Sequence, residues 1–218
     1  MPFGIADETA AVTALCQAPD VIFDAEVLAV LHARGLLAVA APAFAGRLRF
    51  VPETQSLLLT GELRHLHDGF VAVADIGTRI FPFLGDESGA KRLLLSEQIG
   101  TLARSWDAEW SPPRARAAIS SLFAGRKHNR PVVTAYPYAE RLAARASGWF
   151  RVIWAPDVVL FLAHRQVLGA DDAKREALAV GEALDPDLRG RRSRWAGRQT
   201  EYTALVDDAI NNRLCPGP

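Results

Sequence analysis

The sequence predicts an α+β fold: helix-rich, with about five short strands in a mixed sheet and helices packed on it. Three observations lead there. Helix signals, with caps and three-or-four-residue apolar spacing, outnumber strand signals. The strand signals are short, and two pairs of them read as hairpins. A strict alternation of strand and helix is missing, which disfavours a doubly wound sheet. With 218 residues, half of them hydrophobic, the chain can bury a core as a single domain over 1–218. The Ser111-Pro112-Pro113 loop is the alternative place for a subdomain division.

Taken in order, Val21-Ile22-Phe23 is an apolar, strand-like run ending at Asp24. Asp24 caps a helix carrying Val27, Leu28 and Leu31, which Gly35 ends. Arg47–Phe50 and Ser56–Leu59 flank Pro52-Glu53-Thr54 and predict a β-hairpin. The stretch from Phe70 to Leu84 fits strand and helix equally. Leu95, Ile99, Leu102, Trp106 and Trp110 follow at spacings of four, three, four and four, one helical face. Pro112-Pro113 starts a further helix with Ala115, Ala118, Ile119, Leu122 and Phe123 inward. A strand is expected over 131–136 and a helix over 137–148. Phe150–Trp154 and Val158–Leu162 predict a second hairpin around Pro156. Asp171 caps a helix with Ala177, Val180 and Leu184 on its inner face. The last helix, 200–214, turns Tyr202, Leu205, Val206, Ala209 and Ile210 to one side.

Composition narrows the function classes. Charged residues make up 23% of the chain and the net charge is zero, which argues against a whole-protein footprint for nucleic acid or a membrane surface and leaves room for local patches. Only three of the 25 basic residues are lysines, so 22 are arginines. That bias suits either an Ala- and Arg-rich coding habit or planar forks for carboxylate and phosphate. Cys16 and Cys215 have neither metal-knuckle nor disulfide-framework spacing. The first residues lack the basic and apolar regions of a secretory signal, and the longest apolar run, 35–46, is too short to cross a bilayer. A cytoplasmic protein with no membrane segment is the expectation.

Four segments hold candidate chemistry. In Arg64-His65-Leu66-His67-Asp68-Gly69, two histidines at i, i+2 share one side of a strand. Both imidazoles can then serve one metal or one reaction, with Asp68 orienting a ring; His128 or His164 would complete a ligand set. His65, His67 and Asp68 are the candidate catalytic residues, with a polar surface turn as the competing reading. The second segment, 189–198, concentrates five arginines around Trp195. Arg189, Arg191, Arg192 and Arg194 offer guanidinium groups to an anion and Trp195 a stacking face. Alternatively, Asp185, Asp187, Glu201, Asp207 and Asp208 neutralise that run one for one. The third, Arg126-Lys127-His128-Asn129-Arg130, is a basic cluster at a strand entrance where a phosphate or carboxylate can dock. The fourth, Asp20–Glu26, resembles the opening of haloacid-dehalogenase-type phosphotransferases in its first acid. The second acid of that pattern is aspartate where this chain has Glu26, and no late acidic motif follows. Asp24 is therefore read as a helix cap.

No Walker-type phosphate loop, Gly-x-Gly-x-x-Gly or Gly-x-Ser-x-Gly is present in the sequence. The functional expectation is an enzyme, or an enzyme-accessory protein, acting on a small anionic metabolite or peptide, with cofactor and metal unassigned. The alternative is a nucleic-acid or partner-protein binding module that uses the arginine-rich loop 189–198. A third reading makes the apolar face of the last helix an interface in an oligomer.

Overall fold

A computed structural model of the protein describes residues 5–60, 79–80, 112–135, 151–184 and 197–214. The elements are α1 (Ile5–Gln17), β1 (Val21–Phe23), α2 (Ala25–Ala33), α3 (Leu37–Ala43), β2 (Leu48–Phe50), α4 (Pro52–Thr60) and β3 (Arg79–Ile80). They continue with α5 (Pro112–His128), β4 (Val132–Val133), β5 (Val152–Ile153), α6 (Ala155–His164), α7 (Ala170–Leu184) and α8 (Gln199–Ile210).

Among the described residues the sheet has strands in the order β3-β2-β1-β4-β5, and every pairing is parallel. The expected mixed sheet is thus corrected, and so is the argument against a doubly wound arrangement. Both predicted hairpins are absent. After β2 the chain enters α4, with Pro52 and Glu53 in its first turn. Proline needs no N–H there, and a carboxylate is favoured at the positive end of the helix dipole. After β5 it enters α6, whose residues from Ala155 to Ala163 are all buried. A run that is apolar on every side has no period, so its residues suit a buried strand and a buried helix alike. Trp154 and Asp157 decide the outcome: the Trp154 N–H donates to Asp157 Oδ2 at 3.2 Å and caps the first turn.

Elsewhere the local signals hold. Asp24 caps α2, accepting from the Val27 N–H at 2.9 Å. Gly35 sits just past the end of α2 with φ +69°, a conformation that favours glycine. Asp171 lies inside the first turn of α7; the Gly169 carbonyl accepts from the Ala173 N–H at 2.8 Å instead. The last helix is Gln199–Ile210, shorter than expected, and its apolar face is core, with Tyr202, Leu205, Val206 and Ala209 buried. The stripe from Leu95 to Trp110 and the helix expected over 137–148 lie outside the described residues.

Side chains alternate along each strand. Val21, Phe23, Leu48, Phe50, Val133 and Ile153 face one layer and join α1, α2, α3, α6, α7 and α8 in one cluster. Phe44, following α3, stacks on Phe161 of α6 with centroids 4.5 Å apart and meets Phe23 of β1 edge-on at 5.3 Å. Ile22 and Val132 alternate to the other face, where α5 contacts β1 and β4 and buries Ala118, Ile119 and Leu122. Among the described residues no single helix is long and apolar enough to cross a membrane. The pair α2 and α3, bent by 116° between them, is packed into the core.

Candidate functional site

The strand order reverses between β1 and β4. From β1 the chain moves outward to β2 and β3; from β4 it moves the other way to β5. Connections therefore leave these two central strands in opposite directions; ligands of open parallel sheets bind outside the carboxyl ends of the strands at such a reversal. Asp24 directly follows β1 and Thr134 directly follows β4. The Thr134 hydroxyl and the Ala135 N–H, the latter at 3.0 Å, both donate to Asp24 Oδ2. With Val27 on Oδ1, three donors hold this carboxyl in a fixed orientation. Asp24 is completely buried, and burial raises its pKa from 3.8 to about 6 against the lowering effect of those donors.

A half-buried ion pair lies beside it. Arg114, in the first turn of α5, reaches Glu26 in the first turn of α2 with both Nε and Nη2, each to its own carboxylate oxygen. This two-pronged geometry suits a guanidinium better than an ammonium. It ties together the starts of α2 and α5.

A second polar node stands at the carboxyl end of β5. Tyr202 of α8 donates its hydroxyl to Asp157 Oδ1 at 2.7 Å. Arg198, immediately before α8, binds Glu8 of α1 and, at 3.1 Å, Glu201. Its guanidinium lies over the rings of Trp154 and Tyr202, 5.9 and 5.3 Å from their centroids. Burial raises the Asp157 carboxyl from 3.8 to about 7 and pushes the Tyr202 phenol well above its usual range. Burial works against the charge on Arg198, but its bonds to Glu201 and Glu8 hold the guanidinium protonated.

His65, His67 and Asp68 lie outside the described residues, as do Arg189, Arg191, Arg192, Arg194 and Trp195. His128 is the last residue of α5 and His164 the last of α6. Among the described residues, no group of three or more His, Cys, Asp or Glu is arranged to hold a metal ion. In the basic cluster before β4, Arg130 stands 3.6 Å from Asp20, which also pairs with Arg49 at 2.6 Å. The carboxylate docked at that strand entrance is the chain's own. Of the acids read as neutralising the arginine run, Glu201 pairs with Arg198, Asp207 with Lys174 at 2.6 Å and Asp208 with Arg213 at 3.3 Å; Asp185 and Asp187 lie outside the described residues with Arg189, Arg191, Arg192 and Arg194.

Sequence reasoning missed Thr134, Asp157, Arg114 and Glu8. Asp157 had a usable signal, since Pro156-Asp157 after an aromatic residue is a helix-start pattern. The other three are identified only by partners far away along the chain.

Fold and site together define a helix-rich protein built on a parallel sheet, with a buried carboxyl where the strand order reverses. No family model matches the chain, and no curated protein or solved structure matches it at a significant level.

Proposed function

We propose that the chain binds a small anionic metabolite in the crevice over the carboxyl ends of β1 and β4, and that Asp24 is the proton-transfer group of that site. The observation carrying this reading is the coincidence of the strand-order reversal with Asp24 and Thr134. Ligands of open parallel sheets settle outside such reversals. A carboxyl with a pKa of about 6 is poised to give and take a proton near neutrality. Arg114 is the proposed anion contact of the site, a ligand carboxylate or phosphate taking the place that Glu26 fills on its guanidinium fork. His65, His67 and Asp68 are proposed as further groups for bond-making chemistry. Arg189, Arg191, Arg192, Arg194 and Trp195 are proposed as additional anion contacts.

Isothermal titration with inorganic phosphate, pyrophosphate and short dicarboxylates tests the reading. Saturable binding by the wild type that is lost in Arg114→Ala is expected. No binding at millimolar concentrations, or equal binding by the variant, overturns it.

A second reading makes the 189–198 run a contact for a polyanion. The five arginines of the run, set around Trp195, support this reading. Affinity would then fall by about one log unit per log of salt for each phosphate neutralised. Flat salt dependence overturns it.

A further inference from the structure

The edge of the sheet opposite Asp24 is lined by arginines. Backbone bonds set the starts of four strands side by side. Val21 of β1 donates to the Arg47 carbonyl at 2.9 Å, Ile22 to that of Pro131 at 3.0 Å, and Val132 of β4 to that of Arg151 at 2.9 Å. Arg47 thus precedes β2, Arg130 and Pro131 precede β4, and Arg151 precedes β5, with neighbouring strands about 4.8 Å apart. The last turn of α6 comes to the same edge through Phe44. Arg47 donates to the Phe44 carbonyl at 3.0 Å, Phe44 stacks on Phe161, and the Phe161 carbonyl accepts from the Arg165 N–H at 2.9 Å.

Two of these arginines have no structural task. Arg47 is occupied, since its Nη1 donates to the Leu15 and Ala18 carbonyls at 2.9 and 2.7 Å and completes the end of α1. Arg130 and the buried Arg49 share Asp20. Arg151 and Arg165 are exposed, and among the described residues neither has an ion pair. The nearby acids at the start of α7 are Asp171 and Asp172, and Asp172 pairs with Arg175 at 2.7 Å. Val167, two residues after Arg165, is the one exposed large apolar side chain among the described residues, at 39%. Its N–H donates to the Leu162 carbonyl at 2.9 Å, which fixes its backbone against the end of α6.

We propose that this edge docks an acidic segment of a partner polypeptide, with carboxylates on Arg151, Arg165 and Arg130 and an aliphatic side chain on Val167. Guanidinium groups are weakly hydrated and fork onto carboxylates, and clusters of them recognise acidic motifs. Asp20, set between Arg49 and Arg130, already displays that contact with the chain's own carboxylate. A polypeptide fits better than a nucleic acid for two reasons. Asp20 interrupts the row of cations and repels a continuous run of phosphates. Single strands are also held by stacking on aromatic rings, and among the described residues no aromatic side chain is exposed. The surface lies at the far end of the strands from Asp24 and Arg114, so it stands independently of the anion site proposed there.

Fluorescence anisotropy with the full chain and three labelled probes tests the surface: a glutamate peptide with interspersed leucines, its glutamine counterpart, and an oligouridylate. The glutamate peptide is expected to bind, and to bind less well as ionic strength rises, because exposed charges are screened. The glutamine counterpart should not bind. Charge reversal in Arg151→Glu/Arg165→Glu should weaken the glutamate peptide by about tenfold or more, and charge removal in Arg151→Gln/Arg165→Gln by less. Both positions are exposed and outside any ion pair, so these variants should melt with the wild type. Val167→Ser should weaken the leucine-bearing peptide and leave a peptide of glutamate alone unchanged. No binding at low salt, unchanged affinity in the charge-reversal variant, or tighter binding of the oligouridylate than of the peptide overturns the proposal.

Discussion

Tyr202 and Asp157, 45 residues apart, meet through a buried hydrogen bond of 2.7 Å that joins the start of α6 to α8. The same carboxyl accepts from the Trp154 N–H, so one side chain caps a helix and fastens another. Removing the phenol hydroxyl in Tyr202→Phe should cost about 1–2 kcal/mol, read from the denaturant midpoint. Because the Tyr202 bond lowers the Asp157 pKa, the variant should also raise that pKa further. A variant as stable as the wild type would show that the bond contributes nothing net.

Stability should decline as pH rises from about 4 toward 7. Folded Asp157 and Asp24 titrate near 7 and near 6, whereas each has an ordinary value of 3.8 when unfolded. Between those values the folded chain holds more protons than the unfolded one, so each increment of pH favours unfolding. The loss is complete once both folded carboxyls have ionised. Melting temperatures across this range should fall in the wild type and fall less in Asp157→Asn.

Asp24 ties β1, α2 and β4 together, and truncation should remove all three attachments. Asp24→Ala is expected to lose about 2–4 kcal/mol, combining the lost cap with unpaired donors at Thr134 and Ala135. Asn retains an acceptor, so Asp24→Asn should lose less. Chemical denaturation of the pair separates the two effects, and equal losses would argue against the capping role.

Arg198 spans Glu8 and Glu201 and lies over two aromatic rings. Arg198→Met should destabilise by about 3 kcal/mol, chiefly because Glu8 is left buried and charged. Adding Glu8→Gln should then restore part of the loss. A double variant no more stable than the single would contradict this account. Near-ultraviolet circular dichroism should report the disturbed Trp154.

In the core, Phe161 stacks on Phe44 and has no exposed surface. Phe161→Ala should cost about 3–5 kcal/mol through lost burial and the cavity left behind. Thermal or urea unfolding measures it.

Much of the local architecture is legible in the residues themselves. Asp24, the Val27-Leu28-Leu31 stripe and Gly35 specify α2, because capping and periodicity act over a few residues. The inner faces of α5, α7 and α8 are legible for the same reason. Pro52 and Pro156 are ambiguous, since proline serves a turn and a helix start equally well, and the apolar residues following each carry no decisive period. Strand direction is not a local property. Parallel pairing of β1 with β2 and β4 depends on crossovers whose course is settled by packing on both sheet faces.

The polar sites follow the same division. Asp24 is recognisable as a cap from its neighbours, but its bond to Thr134 spans 110 positions, and that of Arg198 to Glu8 spans 190. Short-range steric and hydrogen-bonding preferences are written in adjacent residues and specify helices. Which distant carboxyl shares a guanidinium or a hydroxyl is decided when close packing excludes water from both, and that occurs only in the folded chain.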